Sequence, residues 1–526
     1  MHRDISWSNL TTIKRVFIVC AILIVTGCAS LPTDVQRTPS YALEKTSDTG
    51  LGREVQPYIK AHPEESGFHI LHNGEDAFAT RLILVHAAQK SLDVQYYIWH
   101  DDLTGKILHN RLLVAADRGV RVRLLLDDMD TAGKHEMLHI INAHPNIEIR
   151  LYNPFAGRNS RMGDYVTDTS RINHRMHNKT LTADKQATIL GGRNIGDEYF
   201  DATEGVGFND LDILAIGPVV NQVSEQFDLY WNSQWVYPLD AFKPEQAVTE
   251  QMIKDFRKQS DAYLEEAKSS KYAEALRETD VATLSEVNKL DYSWGKWILA
   301  YDQPSKVEAT EVTEETHLAP NLKKAFEKAQ NDVIIVSPYF VPGTNFTQFL
   351  VSLVERGVRV RILTNSLAAN DVSLVHAGYK RYREPLIKGG VELYEFKAIK
   401  SEQPEQKKKK NKWLGSSRAS LHGKYMGFDK RYMFVGSFNL DARSVALNTE
   451  IGVYFDTPEY ANLLDETFEQ KALILAYRVI LDEEGELEWV TLQDGKEVRF
   501  YQEPDTGFWK RFSTDFLSIF VPESQL

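Results

Sequence analysis

One polar pattern occurs twice in this chain and dominates what it can fold into. His177, Lys179, Asp184, Gly191, Gly192 and Asn194 recur, in the same order and spacing, as His422, Lys424, Asp429, Gly436, Ser437 and Asn439, an offset of 422 − 177 = 245 residues. Chance supplies one H-x-K-x4-D in a chain this long roughly a few times in a hundred, and a second copy with the same downstream glycine and asparagine is far rarer. An imidazole and an ammonium alternating on a single strand would ordinarily be a solvated face. Two copies read instead as two halves of one site.

The surrounding residues place the pattern on strands. Leu181 with Ala187-Thr188-Ile189-Leu190, and Tyr425-Met426 with Tyr432-Met433-Phe434-Val435, read as buried strands closed by an Asp-Lys turn and ended by glycine. The two-residue period of a strand puts His and Lys of each H-x-K on one face. Each copy thus offers an imidazole and an ammonium at a strand start, with an asparagine amide on the next strand. This set suits phosphoryl transfer: Lys179, Lys424, Asn194 and Asn439 stabilise charge building on phosphate oxygens without a metal, while one histidine attacks phosphorus and the other protonates the leaving oxygen.

The duplication extends beyond the motifs. Arg118-Gly119-Val120-Arg121-Val122-Arg123 returns as Arg356-Gly357-Val358-Arg359-Val360-Arg361, offset 356 − 118 = 238, and the strand opening at Asp93 has a counterpart at Asp332, offset 332 − 93 = 239. A chain of 526 residues exceeds one ordinary core. The expected fold class is α/β, two similar domains, each a mixed sheet flanked by helices. The segment from about 242 to 290, rich in Glu, Lys, Ala and Leu, reads as helical, and the acidic stretch from Glu308 to Glu315 after Gln303-Pro304-Ser305 marks the junction. The expected division is a leader at 1–27, a tether at 28–65, a first domain at 66–241, a helical linker at 242–310, a second domain at 311–505 and an amphipathic segment at 506–526.

These motifs resemble the phospholipase D superfamily. The longer strings Arg175-Met176-His177-Asn178-Lys179, Gly191-Gly192-Arg193-Asn194-Ile195-Gly196-Asp197 and Asp93-Val94-Gln95-Tyr96-Tyr97-Ile98-Trp99 are similar to its bacterial cardiolipin synthase C branch, and the likeness runs over most of the chain after residue 65. The resemblance implies that the motif strands meet between the halves, that His177 is the nucleophile forming a phosphohistidine, and that His422 is the general acid and then base. It implies phosphate binding by Lys179, Lys424, Asn194 and Asn439, with a hydroxyl added by Ser437 where the first copy has Gly192. Asp184 and Asp429 are expected to act mainly by fixing the motif turn, with Asp441 and Arg443 in a supporting network. A carboxylate should hold the second nitrogen of each imidazole. Glu450 occupies the family position, 450 − 422 = 28 residues past His422, while in the first copy alignment of the following apolar strand selects Asp210, with Asp212 as the alternative.

The remaining signals concern location and partners. Lys14-Arg15, an apolar run from Val16 to Val25 and Val25-Thr26-Gly27-Cys28 resemble a bacterial lipoprotein signal, with Cys28 as the lipidated residue and an uncleaved anchor as the alternative. Ala29 after that cysteine favours outer-membrane sorting, whereas lipid synthesis suits the inner membrane, so both stay open. The net charge of −13 disfavours a general nucleic-acid binder. Lys407 to Lys410 with Lys412 and Trp413 form a basic stretch suited to anionic head groups, or simply a solvated loop. Phe508, Phe512, Phe516, Ile519 and Phe520, with Trp509 and Lys510-Arg511, recur at helical spacing, as core or as a surface anchor. With only two cysteines, Cys20 and Cys28, no disulfide is expected, and the scattered histidines outside the motifs suggest neither metal nor cofactor. The expected partners are phospholipids and a membrane surface. The function that the resemblance implies, together with these membrane signals, is phosphatidyl transfer yielding cardiolipin from phosphatidylglycerol and phosphatidylethanolamine or phosphatidylglycerol. Hydrolysis to phosphatidic acid, nucleic-acid phosphodiester cleavage and lipid binding without catalysis are the alternatives.

Overall fold

The computed structural model describes residues 30–158, 160–203, 207–278, 287–370, 372–398 and 419–518. The leader, Cys28, the basic stretch at 407–413 and Ile519-Phe520 lie outside the described residues. In chain order the first strands are β1 (Ser66–Leu71), β2 (Ser91–Tyr96), β3 (Arg121–Asp127), β4 (Ile147–Tyr152), β5 (Thr180–Ala183), β6 (Ala187–Gly191), β7 (Gly207–Asn209), β8 (Asp212–Ile216), β9 (Val236–Pro238) and β10 (Ser293–Gly295). They are followed by β11 (Trp297–Tyr301), β12 (Asp332–Val336), β13 (Arg359–Asn365), β14 (Glu392–Phe396), β15 (Ala419–Leu421), β16 (Tyr425–Phe428), β17 (Tyr432–Gly436), β18 (Ile451–Asp456), β19 (Ala476–Leu481), β20 (Leu487–Gln493) and β21 (Lys496–Phe500).

Two mixed sheets result. The order β1-β8-β6-β5-β2-β3-β4 in the first recurs as β11-β18-β17-β16-β12-β13-β14 in the second. In each, the strands of the R-G-V-R-V-R repeat run parallel to their neighbours, β2-β3-β4 and β12-β13-β14, while the motif hairpins β5-β6 and β16-β17 run antiparallel. The repeat has a local cause. The helices Leu103–Asp117 and Gly343–Glu355 both stop at an arginine followed by glycine with φ of +91° and +92°, a left-handed turn that glycine enters without cost and that releases the chain into the Val-Arg-Val-Arg strand. The motif turns are equally determined: Asp184-Lys185 and Asp429-Lys430 all have φ between +50° and +53°, and Asp tolerates that region.

The sheets are held together by an apolar layer of their own. Phe68, Leu190, Ile213 and Ala215 from β1, β6 and β8 pack against Met433, Val435, Val453 and Phe455 from β17 and β18, with the rings of Phe68 and Phe455 4.4 Å apart. Backbone pairing reinforces it beside the motifs. β15 pairs in parallel with β7, Leu421 opposite Asn209, and Met176 bridges Thr449.

Two boundaries differ from the sequence reading. The chain leaves the first sheet at Gly295 and enters the second at Trp297, earlier than the acidic stretch suggested, because Trp297 to Tyr301 pair with β18. The supposed tether is largely packed: Leu51 and Val55 of the helix Gly50–Ala61 are buried in the first core, the Asp228 carboxylate accepts the Ala42 amide at 2.8 Å, and Arg37 Nε donates to the Val236 carbonyl. Beyond the duplicated strands, β19, β20 and β21 extend the second sheet. The linker helices are as expected, Glu250–Ala267 and Lys271–Glu278.

Since Phe455 is fully buried between the sheets, Phe455→Ala is expected to cost about 3–5 kcal/mol. Urea unfolding followed by tryptophan fluorescence checks this, and an unchanged midpoint would show that the layer between the sheets adds nothing.

Candidate active site

The two motifs meet where the sheets are stitched. His177 donates its amide to the Thr449 carbonyl at 2.8 Å, and the amides of His422 and Gly423 reach the Asn209 carbonyl at 2.8 and 2.9 Å. Each motif histidine is thereby docked on the other half of the molecule, immediately before the residue that receives its ring. His177 Nδ1 donates to Glu450 Oε2 at 2.8 Å, and His422 Nδ1 to Asp210 Oδ2 at 2.5 Å. Sequence spacing counted each acceptor from the histidine of its own copy, but the structure delivers each to the histidine of the other. The Nδ1 proton being committed, Nε2 of each ring keeps its lone pair. The rings are 7% and 6% exposed at the residue level, enough to reach a ligand through one edge. Tyr97 stands edge-on to His177, and Tyr199 and Phe208 pack against His422, all with centroids 5.0–5.1 Å away.

The lysines lie beneath the rings. Lys179 Nζ donates to the His177 carbonyl at 2.6 Å, and Lys424 Nζ to the His422 carbonyl. Lys424 Nζ also sits 2.9 Å from His422 Nδ1, but that nitrogen cannot accept while it donates to Asp210, so the contact is a crowding of two donors, an ammonium and an imidazole N–H, beside one carboxylate. Burial pushes Lys179 down to about 7. Burial, then Lys179 and Lys424, hold His177 well below its ordinary value. Burial and Lys424 take His422 to about 4, so both imidazoles are neutral near pH 7.

The two acceptors differ. Burial raises Glu450 to about 7 against the pull of Lys179. Glu450 accepts from Ser437 Oγ at 2.5 Å and Ser444 Oγ at 2.9 Å, and its amide donates to Asp302 Oδ2 at 2.8 Å. Asp302 is in turn paired with Lys306 at 2.9 Å, all within the core. Asp210 is also buried, but His422, Lys424 and Arg193 outweigh that penalty and hold its carboxyl below the usual range. Arg193 steadies this segment through the Asp210 carbonyl at 2.7 Å.

Several residues take places other than those expected. The Ser437 hydroxyl is directed at Glu450 rather than at a phosphate position. Its counterpart Gly192 is small for a matching reason, because a Cβ there would lie 2.2 Å from Asp210 Oδ1. Asn194 Nδ2 donates to the Tyr199 hydroxyl at 2.9 Å and its Oδ1 accepts from the Ile98 amide, so it braces the aromatic wall. Asn439 Oδ1 is buried with no hydrogen-bond partner among the described residues. Asp212 faces Arg81 at 2.7 Å, which leaves Asp210 as the acceptor. Asp441 receives the Ser444 amide at 2.6 Å, and Arg443 donates across to Asn173 at 2.8 Å. Sequence reasoning passed over Asp302 and Lys306 as part of a junction, and over Tyr97, Tyr199 and Arg193. The four-residue spacing of Asp302 and Lys306 was the one available signal, and a weak one.

The motif aspartates are pinned elsewhere. Asp184 accepts the amides of Gln89, Lys90 and Ser91 at 2.7–2.9 Å, and Asp429 those of Gln330, Asn331 and Asp332 at 2.7–3.1 Å. Each therefore ties the motif turn to the beginning of the neighbouring antiparallel strand, β2 or β12.

Duplicated α/β halves that bring two H-x-K segments together with crossed carboxylate partners define a phospholipase D-like fold. Comparison with known proteins makes the family explicit: the chain belongs to the family described as cardiolipin synthase, PLD-like domain, whose model matches residues 82–231 and 322–472. Cardiolipin synthase C of Escherichia coli is 41% identical over 473 residues, 90% of this chain and 99% of that protein. An uncharacterized protein of Helicobacter pylori is 32% identical over 97% of this chain and 100% of its own length, and E. coli cardiolipin synthase B is 26% identical over 74% of this chain and 76% of its own. Among solved structures, phosphatidylserine synthase of Haemophilus influenzae shares the fold at a TM-score of 0.52 and 15% identity, covering 81% of this chain and 92% of that one.

Removing the Asp184 carboxylate strands three backbone amides, each costing about 1–3 kcal/mol if left unpaired. Asp184→Ala is thus expected to lower the urea midpoint more than Ser437→Ala does, and the reverse order would show that the aspartate is not a structural clamp.

Proposed function

We propose that this protein is a phosphatidyltransferase that forms cardiolipin from phosphatidylglycerol and a second phospholipid, phosphatidylethanolamine or phosphatidylglycerol, through a phosphohistidine. The observation that carries the reading is the pair of neutral imidazoles, each with Nδ1 held by a carboxylate and Nε2 left to react, flanked by two buried lysines. Close similarity to a cardiolipin synthase supports the choice of substrate.

His422 takes up a proton at Nε2 as the anionic donor binds; His177 Nε2 then attacks phosphorus of the donor, and the ester bond to the departing alcohol breaks as His422 Nε2 delivers that proton to the leaving oxygen. The phosphatidyl group is then on His177. The glycerol hydroxyl of phosphatidylglycerol gives its proton to His422 and attacks the same phosphorus, releasing His177. One phosphodiester replaces another, so no nucleotide is needed. The environments favour this assignment of roles. His422 faces the fully ionised Asp210, which stabilises the imidazolium it must become, whereas His177, beside a carboxyl raised to about 7, stays the neutral nucleophile. A bound phosphodiester offsets the ammonium charges that depress His422, so its affinity for a proton rises when it is needed. Lys179, Lys424 and the amide of Asn439 receive the phosphate oxygens.

The protein works at a membrane surface. Phe508, Trp509 and Phe512 on the helix Phe508–Ser518 are 63%, 76% and 52% exposed, with Phe508 stacked on Phe512 and Trp509 edge-on to Phe508, which supports an interfacial anchor over a core stripe. No helix among the described residues is long and apolar enough to cross a membrane. A lipidated Cys28 and a periplasmic site of action complete this reading.

The direct test is lipid mass spectrometry of cells devoid of other cardiolipin synthesis, producing the wild type, His177→Ala or His422→Ala. Cardiolipin is expected with the wild type alone, each variant losing about three orders of magnitude or more. Phosphatidic acid rising without cardiolipin would make the protein a hydrolase, and unchanged lipids would sink the lipid reading.

The pH profile is a second test. Glu450 must be ionised, so activity falls as pH drops through about 7, and Lys179 must be charged, so activity also falls as pH rises through about 7. The expected kcat/KM profile is a narrow bell near neutrality. In Lys179→Arg the cation persists, so the alkaline limb moves up by about two pH units or more while the acid limb stays. An unmoved alkaline limb would remove Lys179 from the phosphate site.

A further inference from the structure

The duplicated halves diverge beside the site. In the first, the bridge between Trp99 and Ile195 is followed by a polar stitch: His100 Nδ1 meets Glu198 at 3.1 Å, Asp102 Oδ2 accepts the Asp197 amide at 2.8 Å, and Asp197 accepts the Thr104 amide at 2.8 Å. The linker helices then cover the adjoining helices Gly74–Ala87 and Leu103–Asp117. Tyr272 packs on Phe78 at 6.1 Å, Asn110 Nδ2 donates to Ser260 Oγ at 3.0 Å, and Arg257 pairs with Asp117 at 2.7 Å.

The second half has the equivalent bridge, Phe340 to Leu440, but not the stitch. Counting from the bridges, with 340 − 99 = 241 and 440 − 195 = 245, His100 becomes Val341, Asp102 becomes Gly343 and Asp197 becomes Ala442. Among the described residues nothing corresponding to the linker helices lies over the helices Leu318–Lys328 and Gly343–Glu355. What remains between them is a cavity of about 640 Å³ walled chiefly by Leu322, Phe326, Phe346, Phe349, Phe438 and Leu440, a volume suited to one sizeable ligand.

We propose that this groove takes an acyl chain of the phospholipid whose phosphate sits at the two histidines. The inference rests on the phosphatidyltransferase reading. Phe438 and Leu440, both in the groove wall, flank Asn439, whose Nδ2 donor the functional reading gives to the phosphate, so the apolar wall begins one residue from that amide. A diacyl phosphodiester anchored there must lay its chains within covalent reach of the phosphorus. On the first half that direction is closed by charged and hydrogen-bonded groups, and on the second it is open and aromatic. Burial of methylenes in the groove supplies binding energy remote from the reacting atoms, which holds the phosphate for attack.

The test uses the full-length His177→Ala protein, which binds without turnover, and vesicles containing phosphatidylglycerol with a photoactivatable group midway along one chain. Peptide mapping is expected to place the label on Leu322–Phe326 and Phe346–Phe349. Ala319→Trp, which fills the groove from its partly exposed edge, should cut that label about tenfold. In the protein with His177 intact, Ala319→Trp should lower kcat/KM for long-chain phosphatidylglycerol by a similar factor, with a soluble short-chain analogue turned over as before. Label confined to other segments, undiminished label in the folded Ala319→Trp protein, or equal loss on both chain lengths would overturn the proposal. A protein that takes the label in the groove but makes no cardiolipin would leave the groove standing and overturn the functional reading instead.

Discussion

Everything around the site depends on the crossing of two imidazole-to-carboxylate hydrogen bonds. Glu450 of the second half holds His177 of the first, and Asp210 of the first holds His422 of the second. Neither half can orient its own imidazole. A buried carboxylate deprived of its partner is costly to keep charged, so separating the halves would leave two of them stranded as well as exposing the apolar layer around Phe68 and Phe455. Catalytic geometry and the docking of the halves are in this sense one constraint, which gives a physical reason for both copies to sit in one chain.

Duplication produced a site that is symmetric in composition and asymmetric in electrostatics. Ser437 and Ser444 hydroxyls and the Asp302-Lys306 pair surround Glu450, whereas Gly192 clears space for Asp210 and Arg193 steadies it. Lys179 and the serine hydrogen bonds do not overcome burial at Glu450, but His422, Lys424 and Arg193 do overcome it at Asp210. Two histidines with the same neighbours in sequence thus acquire different tendencies to carry a proton, and a two-step transfer needs that difference.

What was legible in the sequence was local. The Asp-Lys turns, the buried hairpins behind each motif and the glycine-arginine strands follow from period and turn chemistry within a dozen residues, and they lie where those rules put them. Glu450 was identifiable as an acceptor from the family position and Asp210 from strand alignment, but not the histidines they serve, because that pairing rests on contacts such as Met176 to Thr449 spanning 449 − 176 = 273 residues. The segment before residue 65 looked like a tether because its composition is polar, yet Asp228 fastens its backbone and Leu51 and Val55 enter the core. Ser437 looked like a phosphate ligand because a hydroxyl beside glycine suits one, and only the position of Glu450 reveals its other use.

The motif aspartates show how a strongly patterned residue can lie outside the chemistry. Asp184 and Asp429 stand at left-handed turns with their carboxylates saturated by backbone amides of the strands β2 and β12. Those strands run antiparallel to β5 and β16, whose starts follow directly on the motif lysines. The clamp at one end of the hairpin therefore sets the register that places histidine and lysine at the other end. A one-residue slip would turn every side chain of the strand to the opposite face, so the imidazole would leave its carboxylate even though every motif residue remained present. Spacing in this motif is accordingly a constraint on register first, and on catalysis through it.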